Sequence, residues 1–200
     1  MKRFFSTAAL LTAIAFLPAC GGSTSGDGHA HGEGDTHAHA EEHAEITHAI
    51  CVLSATEGNS VTGWIKFEQT DAGVRVTAEV NGLTPGLHGF HVHHLGDISA
   101  PDGTATAGHF NPDGVDHGLP GEHGDHSHVG GHAGDLGNLD ANEDGRATYD
   151  VTYSDLTLNG AKSIIGRSII VHRDEDDGSQ PTGNAGPRIA QGVIGIDAAD

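Results

Sequence analysis

The chain has 200 residues and a formal net charge of −19, which argues against nucleic acid as a partner because phosphate backbones attract basic surfaces. Glycine is abundant at 31 residues, aromatic residues make up only 4%, and 17 residues are histidines. Together with short apolar runs and no long helical periodicity, this composition predicts one all-β domain with long loops.

The first twenty residues have the features of a targeting segment. Two basic residues precede an apolar run over residues 4–17, and residues 17–20 (LPAC) resemble the lipobox that bacterial lipoprotein signal peptidase cleaves. The apolar run is short for a membrane span, and the small residue before Cys20 favours cleavage. We therefore expect residues 1–20 to be a lipoprotein signal peptide, with a lipid on Cys20 as the protein's only membrane contact. An ordinary secretory signal and an uncleaved anchor are the alternatives, and each implies export to the periplasm or cell envelope.

The cysteine content restricts how the domain is stabilised. The chain has two cysteines, Cys20 and Cys51. A lipidated Cys20 cannot form a disulfide, and Cys51 lies in an apolar run where a lone cysteine is usually a small buried hydrophobe. An exported domain without a disulfide needs another source of stability, and bound metal is a candidate.

Residues 21–45 contain no large apolar side chain, so they predict a disordered tether rather than part of the fold. The histidines of this segment are interleaved with acidic residues, a mixture that binds divalent metals loosely. The segment is either a metal-gathering arm or a solvated spacer, and the pattern favours the first. The histidines concerned are His29, His31, His37, His39 and His43.

Strand-like runs follow and place the folded domain at residues 46–200. The clearest covers residues 74–80, where small apolar residues alternate with polar ones. The pattern is lost between Gly96 and Gly134, and a loop of that length in a compact domain is usually functional. The spacing predicts a sandwich or flattened barrel with Greek-key connections. Seven runs are clear and an eighth is weaker: 46–55, 61–69, 74–80, 89–97, 146–156, 163–172 and 188–196, with the eighth near 136–142.

The stretch GFHVHHLGD contains the most informative histidines. On a strand, His91 and His93 project from one face while Val92 projects from the other. Paired imidazoles on one face are typical of half a metal site, although a pair of surface histidines would give the same pattern. Further candidate ligands occur in the long loop and at the end of a late strand, enough for two copper or zinc ions. They are His109, His117, His132, Asp135 and His172.

These motifs resemble the copper/zinc superoxide dismutase family. GFHVHHLGD is similar to the family's GFHVHEFGD, AGHFNP to its loop histidine motif, HAGDLGN to its zinc motif, and GNAGPRIAQGVIGI to its C-terminal signature. The similarity runs from about residue 46 to 196 in the family's order. It implies an eight-stranded Greek-key flattened barrel, an immunoglobulin-like sandwich, with long metal-binding and electrostatic loops.

The resemblance also implies the roles of individual residues. The copper ligands would be His91, His93, His109 and His172. The zinc ligands would be His109, His117, His132 and Asp135, with His109 as the bridge between the two ions. Asp176 matches the aspartate that hydrogen-bonds one ligand of each ion, and Arg188 matches the arginine beside the copper channel. The activity implied is conversion of superoxide to oxygen and hydrogen peroxide, with Arg188 attracting the anion and His109 delivering a proton, in protection of the cell envelope.

The chain departs from the family's pattern in three places. Gly103 and Gln191 stand where the family has its disulfide, so we expect loop order to depend more on zinc, because losing a native disulfide costs about 2–5 kcal/mol. The zinc loop is long and carries three further histidines. They could replace His132 as a ligand or form an accessory metal site, but we expect them to be solvated loop residues, because His132 alone stands three residues before Asp135. The segment after His172 is short and lacks the family's lysine and paired glutamates. His94 is expected to face away from the metal, and His88 to be structural. The further histidines are His123, His126 and His128.

Two other functions and the oligomeric state stay open at this stage. A metal-binding lipoprotein could use this fold to hold or hand on copper and zinc without turnover, but storage alone would not need Arg188. A structural relic is disfavoured by the intact ligand set. The SIIGR stretch at residues 163–167 resembles a dimer-contact segment of eukaryotic-type relatives, whereas bacterial members assemble differently, so a homodimer is one outcome.

Overall fold

A computed structural model describes residues 44–121 and 131–198 as a closed barrel of eight antiparallel strands. The barrel order is β1-β2-β3-β6-β5-β4-β7-β8. Within the two described ranges, no helix is long and apolar enough to cross a membrane. The strands are β1 (His48–Ala55), β2 (Thr62–Thr70), β3 (Gly73–Asn81), β4 (Gly86–His93), β5 (Asp135–Ala141), β6 (Arg146–Tyr153), β7 (Ser168–His172) and β8 (Arg188–Ile196).

Strand β3 shows how the sequence builds the barrel wall. Val74, Val76 and Val80 are fully buried, and their side chains enter the hydrophobic core inside the barrel. Arg75, between two of them, points outward and forms a bidentate ion pair with Asp150 of β6. The period of two therefore separates the core face from the solvent face, as predicted.

The order of the strands, which is not the order of the chain, brings the histidines together. β4 pairs with β5 on one side and with β7 on the other, so that His91 of β4 lies opposite Ile170 of β7. Val92 is in the barrel core, whereas His91 and His93 project from the outer face. The loops after β4 and β7 contact these two histidines, so they are buried although they lie outside the barrel.

The predicted fold class and the eighth strand are confirmed, and β5 is that strand. The run at 163–172 is a strand only from Ser168 onward. Gly166 has a φ of 78°, and the hydroxyl of Ser163 donates to Leu158 O. The chain therefore turns within residues 163–167 instead of extending β7. Ile164 is nevertheless fully buried, which explains why this turn looks like a strand in sequence. The predicted signal peptide and tether lie, up to residue 43, outside the described residues.

Candidate metal centre

Two groups of four side chains each gather potential ligand atoms. In each group, one ligand atom from every residue lies within 4.8 Å of all the others. All members are buried, and His109 belongs to both groups. The first group is His91, His93, His109 and His172; the second is His109, His117, His132 and Asp135.

The first group leaves three imidazole nitrogens without a hydrogen-bond partner, although they are buried. The opposite nitrogen of each ring is held: His91 Nε2 by Asp176 Oδ2 at 2.8 Å, and His93 Nδ1 by Ala107 O at 2.9 Å. His172 Nδ1 lies 3.0 Å from Gly186 O. Buried polar atoms almost always have partners, and a ligating histidine typically donates its other N–H to such an acceptor. Three converging free nitrogens therefore fit a bound metal ion. They are His91 Nδ1, His93 Nε2 and His172 Nε2.

The second group is arranged around the buried carboxylate of Asp135. Its Oδ1 lies 2.8 Å from His109 Nδ1 and 3.2 Å from His132 Nδ1. Its Oδ2 lies 2.9 Å from His117 Nδ1, which is the distance of an ion pair. Backbone N–H groups of Gly118 and His132 donate to the same Oδ2. Three imidazoles and one carboxylate fit a closed tetrahedral zinc site.

Asp176 joins the two groups. Its Oδ2 accepts from His91 Nε2 at 2.8 Å and its Oδ1 accepts from His117 Nε2 at 2.9 Å. Burial raises the pKa of this carboxyl, but the hydrogen bonds from His117 and His91 outweigh burial and lower the pKa. Asp176 is therefore an ionised carboxylate that orients one ring of each group.

Arg188 lies beside the first group at the start of β8, where it pairs with His172 of β7. Its guanidinium donates to Gly103 O, to Thr106 Oγ1 at 3.0 Å and to Ala107 O at 2.6 Å. Arg188 also lines a surface cavity of about 360 Å³. A fixed cation beside a histidine cluster favours an anionic substrate.

Comparison with known proteins identifies the family. The sequence model of the copper/zinc superoxide dismutases matches residues 61–194. The chain belongs to the copper/zinc superoxide dismutase family. It is 46% identical over 156 residues to superoxide dismutase [Cu-Zn] 2 of Brassica juncea, covering 74% of this chain and 96% of that relative. The crystal structure of the clock protein EA4 is similar with a TM-score of 0.68 and 40% identity, covering 76% of this chain and 96% of that one.

Family membership defines the chemistry. The chain is an oxidoreductase that converts superoxide to oxygen and hydrogen peroxide, with copper and zinc as cofactors. The two histidine groups described above have the donor types that these ions prefer, since imidazole binds both ions and a carboxylate favours zinc. The predicted family, activity and cofactors are thereby confirmed.

Burial sets the protonation of the histidines in this superoxide dismutase. Burial lowers the pKa of His91 to about 3 and that of His172 to about 4, and it lowers the pKa of His93 well below its usual value. These rings are neutral at pH 7, so their free nitrogens accept a cation without losing a proton. Burial also acts to lower the pKa of His117, but hydrogen bonds with Asp135 and Asp176 raise it to about 9. A cation bound at His117 would therefore displace a proton from this ring.

The structure brings together all nine residues named for the dismutase site, and neither group of potential ligands includes His88 or His94. His94 is exposed, and the buried His88 contacts His172 O at 3.0 Å and Thr84 O at 2.8 Å. The positions of His123, His126 and His128 lie outside the described residues.

Sequence reasoning missed two amides that support the dismutase ligands. Asn138 exchanges two hydrogen bonds with the backbone of Asp176, at 2.8 and 2.9 Å. Gln180 does the same with the backbone of His117, at 3.0 and 2.8 Å. Asn138 ends the HAGDLGN motif, so its position could have suggested a role near the site. Gln180 lies in a polar loop with no motif around it, so nothing in the sequence pointed to it.

Proposed function

We propose that His91, His93, His109 and His172 bind the copper ion, and that His109, His117, His132 and Asp135 bind the zinc ion. The observation that carries this assignment is the set of buried, unpartnered nitrogens at the centre of the first group. Bound copper supplies one-electron chemistry, and bound zinc supplies a charge with no redox change. The protein must then hold the rings, admit the anion and provide protons.

His109 is the residue shared by both groups, and we propose that it supplies a proton for the reduction of superoxide. Its Nδ1 faces Asp135 at 2.8 Å, and its ring stacks on His91 with centroids 4.0 Å apart. Nε2 is the nitrogen left for the copper side. A proton held at His109 Nε2 would be available to superoxide bound beside the first group, because reduction of superoxide to hydrogen peroxide consumes protons.

Arg188 orients the incoming anion in this proposal. Its guanidinium is held by three oxygen acceptors, so its charge stays in one place rather than moving with a flexible side chain. Because the chain has a net charge of −19, this local positive field must overcome the repulsion of superoxide by the rest of the surface.

The test measures superoxide decay with protein loaded with copper and zinc. We expect His172→Ala to lose most of the activity and Arg188→Glu to slow the reaction and alter its salt dependence, while the copper absorbance of Arg188→Glu is retained. Arg173→Glu is the matched control, since it reverses a charge at an exposed residue paired only with Asp174. Salt dependence equal in Arg188→Glu and wild type would remove the proposed steering. Two bound ions without faster superoxide decay would point to metal storage.

We infer that the protein is exported and anchored by a lipid on Cys20, and that it protects the cell envelope from superoxide. The features of residues 1–20 support this location. In cells, mature protein should carry the mass of an acylated cysteine and fractionate with membranes, and Cys20→Ser should release it. Membrane association unchanged in Cys20→Ser would contradict the lipid anchor.

We propose that two copies associate through an exposed apolar patch beside β8. Val52 of β1 and Val193 of β8 are 64% and 37% exposed on neighbouring strands. Leu95 and Ile98, 45% and 41% exposed, belong to the loop after β4, in which Leu95 O accepts from Ser168 of β7 and Ile98 O accepts from Gln191 of β8. Contiguous exposed apolar side chains are typical of interaction sites. Sedimentation should show a dimer that Val52→Glu dissociates, while Leu87→Glu, a change at an apolar residue with 40% exposure on β4, leaves it intact. A monomeric wild type would contradict this assembly.

A further inference from the structure

Gln191 of β8 is a buried polar residue that the dismutase chemistry does not use. It is only 6% exposed. Its Nε2 donates to Ala100 O at 3.1 Å and, more weakly, to Ile98 O at 3.4 Å. Both acceptors lie in the loop after β4, about 90 residues earlier in the chain. The side chain therefore connects the barrel wall to this loop without a covalent bond.

The same loop has a second attachment to β8 through Arg188. The guanidinium of Arg188 holds the carbonyls of Gly103 and Ala107. Gly103 lies so close that a Cβ there would be 3.2 Å from Arg188 Cδ. Gln191 thus holds the first part of residues 98–107 and Arg188 holds the second part; we call residues 98–107 the tethered loop.

The tethered loop also supports the copper group. Ala107 O accepts from Arg188 and from His93 Nδ1, the latter at 2.9 Å. Thr106 Oγ1 contacts both residues as well, at 3.0 Å from Arg188 and 3.2 Å from His93. A displacement of the tethered loop would therefore move the substrate-orienting arginine and a ligand ring together.

We propose that the Gln191 carboxamide takes the place of a covalent cross-link and acts as a positioning residue for Arg188 and His93. Residues 103 and 191 are not cysteines, and Cys51, the free cysteine of the described ranges, is buried elsewhere in the core. Gln191 fits this role because its amide nitrogen lies within hydrogen-bond distance of two carbonyls of one loop. Its Oε1 has no partner, so turning the amide over would place an oxygen against two carbonyl oxygens. The order of the tethered loop is then independent of the thiol redox state.

The first test needs no variant. In the NMR spectrum of the holoprotein, with copper kept reduced to avoid paramagnetic broadening, the Nε2 protons of Gln191 should exchange with water at least tenfold more slowly than those of an exposed glutamine. Exchange of these protons as fast as in a free glutamine amide would overturn the proposal, whether or not any variant folds.

The second test compares Gln191→Met with Gln69→Met. Gln69 is the matched control, because its Nε2 also donates to two carbonyls, those of Thr70 and Gly73, at a distant hairpin. We expect backbone amides of the tethered loop to exchange about tenfold faster in Gln191→Met only, the factor that loss of about 1.4 kcal/mol gives. In Gln191→Met, the exchange rates of the β3 amides should be unchanged, and the salt dependence of superoxide decay should become shallower.

Equal exchange of the tethered loop in Gln191→Met, Gln69→Met and wild type would contradict the positioning role. The shallower salt dependence rests on the function proposed for Arg188, whereas amide exchange does not. Faster exchange with unaltered salt dependence would therefore support the tether and count against steering by Arg188.

Discussion

Asp176 shows how one residue couples two metal sites. Its carboxylate accepts from His91 and from His117, which lie 85 and 59 residues away in sequence. The residue is 1% exposed, and a buried charge is stable only where it is paired and hydrogen-bonded. Because both rings are oriented by the same carboxylate, we expect a change at Asp176 to disturb both proposed metal sites.

We expect Asp176→Asn to weaken zinc binding about 10–100-fold, the usual effect of losing a partner that orients a metal ligand. In Asp176 each carboxylate oxygen accepts a hydrogen bond from one ring. The amide nitrogen of asparagine cannot accept a hydrogen bond, so one of the two rings loses the contact that orients it. Chelator competition measures the affinity. Asp177→Asn is the control, since Asp177 is exposed and accepts only from Ser179 and Asn184. Equal zinc affinity in the two variants would contradict the coupling.

Cys51 should be chemically inert until the protein unfolds. Burial raises the pKa of its thiol to about 12 from the ordinary value of 9.0, so almost no thiolate is present at pH 8. A thiol reagent such as Ellman's reagent should react with Cys51 only in denaturant. The raised pKa also means that this group's contribution to stability is complete below pH 9 and is lost as the pH rises toward 12. The stability difference between wild type and Cys51→Ala should therefore shrink above pH 9, and a constant difference would contradict this.

Among the elements, the connection between β7 and β8 leaves room for the Asp176 carboxylate by having a glycine beside it. Gly183 has a φ of 74°, and a Cβ there would overlap Asp176 Oδ1. Gly178 in the same connection has a φ of 75°, but a Cβ there would meet only Leu119 at ordinary contact distance. The two glycines thus share a left-handed conformation and differ in what they approach.

Substituting alanine at each glycine separates these effects. Both Gly183→Ala and Gly178→Ala should lose about 1 kcal/mol of stability from the strained backbone. Only Gly183→Ala should also weaken metal binding, because the new methyl group displaces the carboxylate of Asp176. Thermal unfolding of the metal-free protein and zinc titration measure the two effects. Equal zinc affinities would show that the close approach to Asp176 does not matter.

At the level of the whole molecule, the barrel is joined to its loops by polar contacts rather than by a disulfide within the described residues. The metal-free protein buries several imidazole nitrogens without partners, and unpartnered buried polar atoms cost free energy. Ions bound at the two proposed sites would satisfy these nitrogens and connect loop residues to β4, β5 and β7. The metals are therefore expected to contribute much of the stability of the loops.

Chelation should lower the melting temperature by about 10 °C or more. Ligand at 1,000 times its Kd contributes about 4 kcal/mol, and each kcal/mol moves Tm by roughly 2–4 °C in domains of this size. A thiol reductant should change Tm hardly at all. The reductant is tested on zinc-loaded protein, so that copper reduction does not confuse the result. A large reductant effect on the monomer would mean that a thiol link contributes to stability.

Much of the fold was predictable because it depends on local patterns. The alternation around Val74 and Val76 indicated a wall strand, and the spacing of His91 and His93 placed both rings on one face. The assignment of ligands came from motifs and their resemblance to a family, and the structure brings those same residues together. Residues 163–167 have the apolar pattern of a strand but form a turn. Ile164 is apolar because it is buried in the core, although it does not belong to a sheet.

The strand faces, the family and the candidate ligands were predictable, since each depends on residue type and short-range spacing. The side-chain amides that fix the loops around those ligands were not predictable, because their contacts exist only in the folded chain. Asn138, Gln180 and Gln191 contact partners 38 to 93 residues away in sequence. Such contacts leave no periodic pattern, because they depend on how two loops meet across the barrel wall rather than on the local conformation of either.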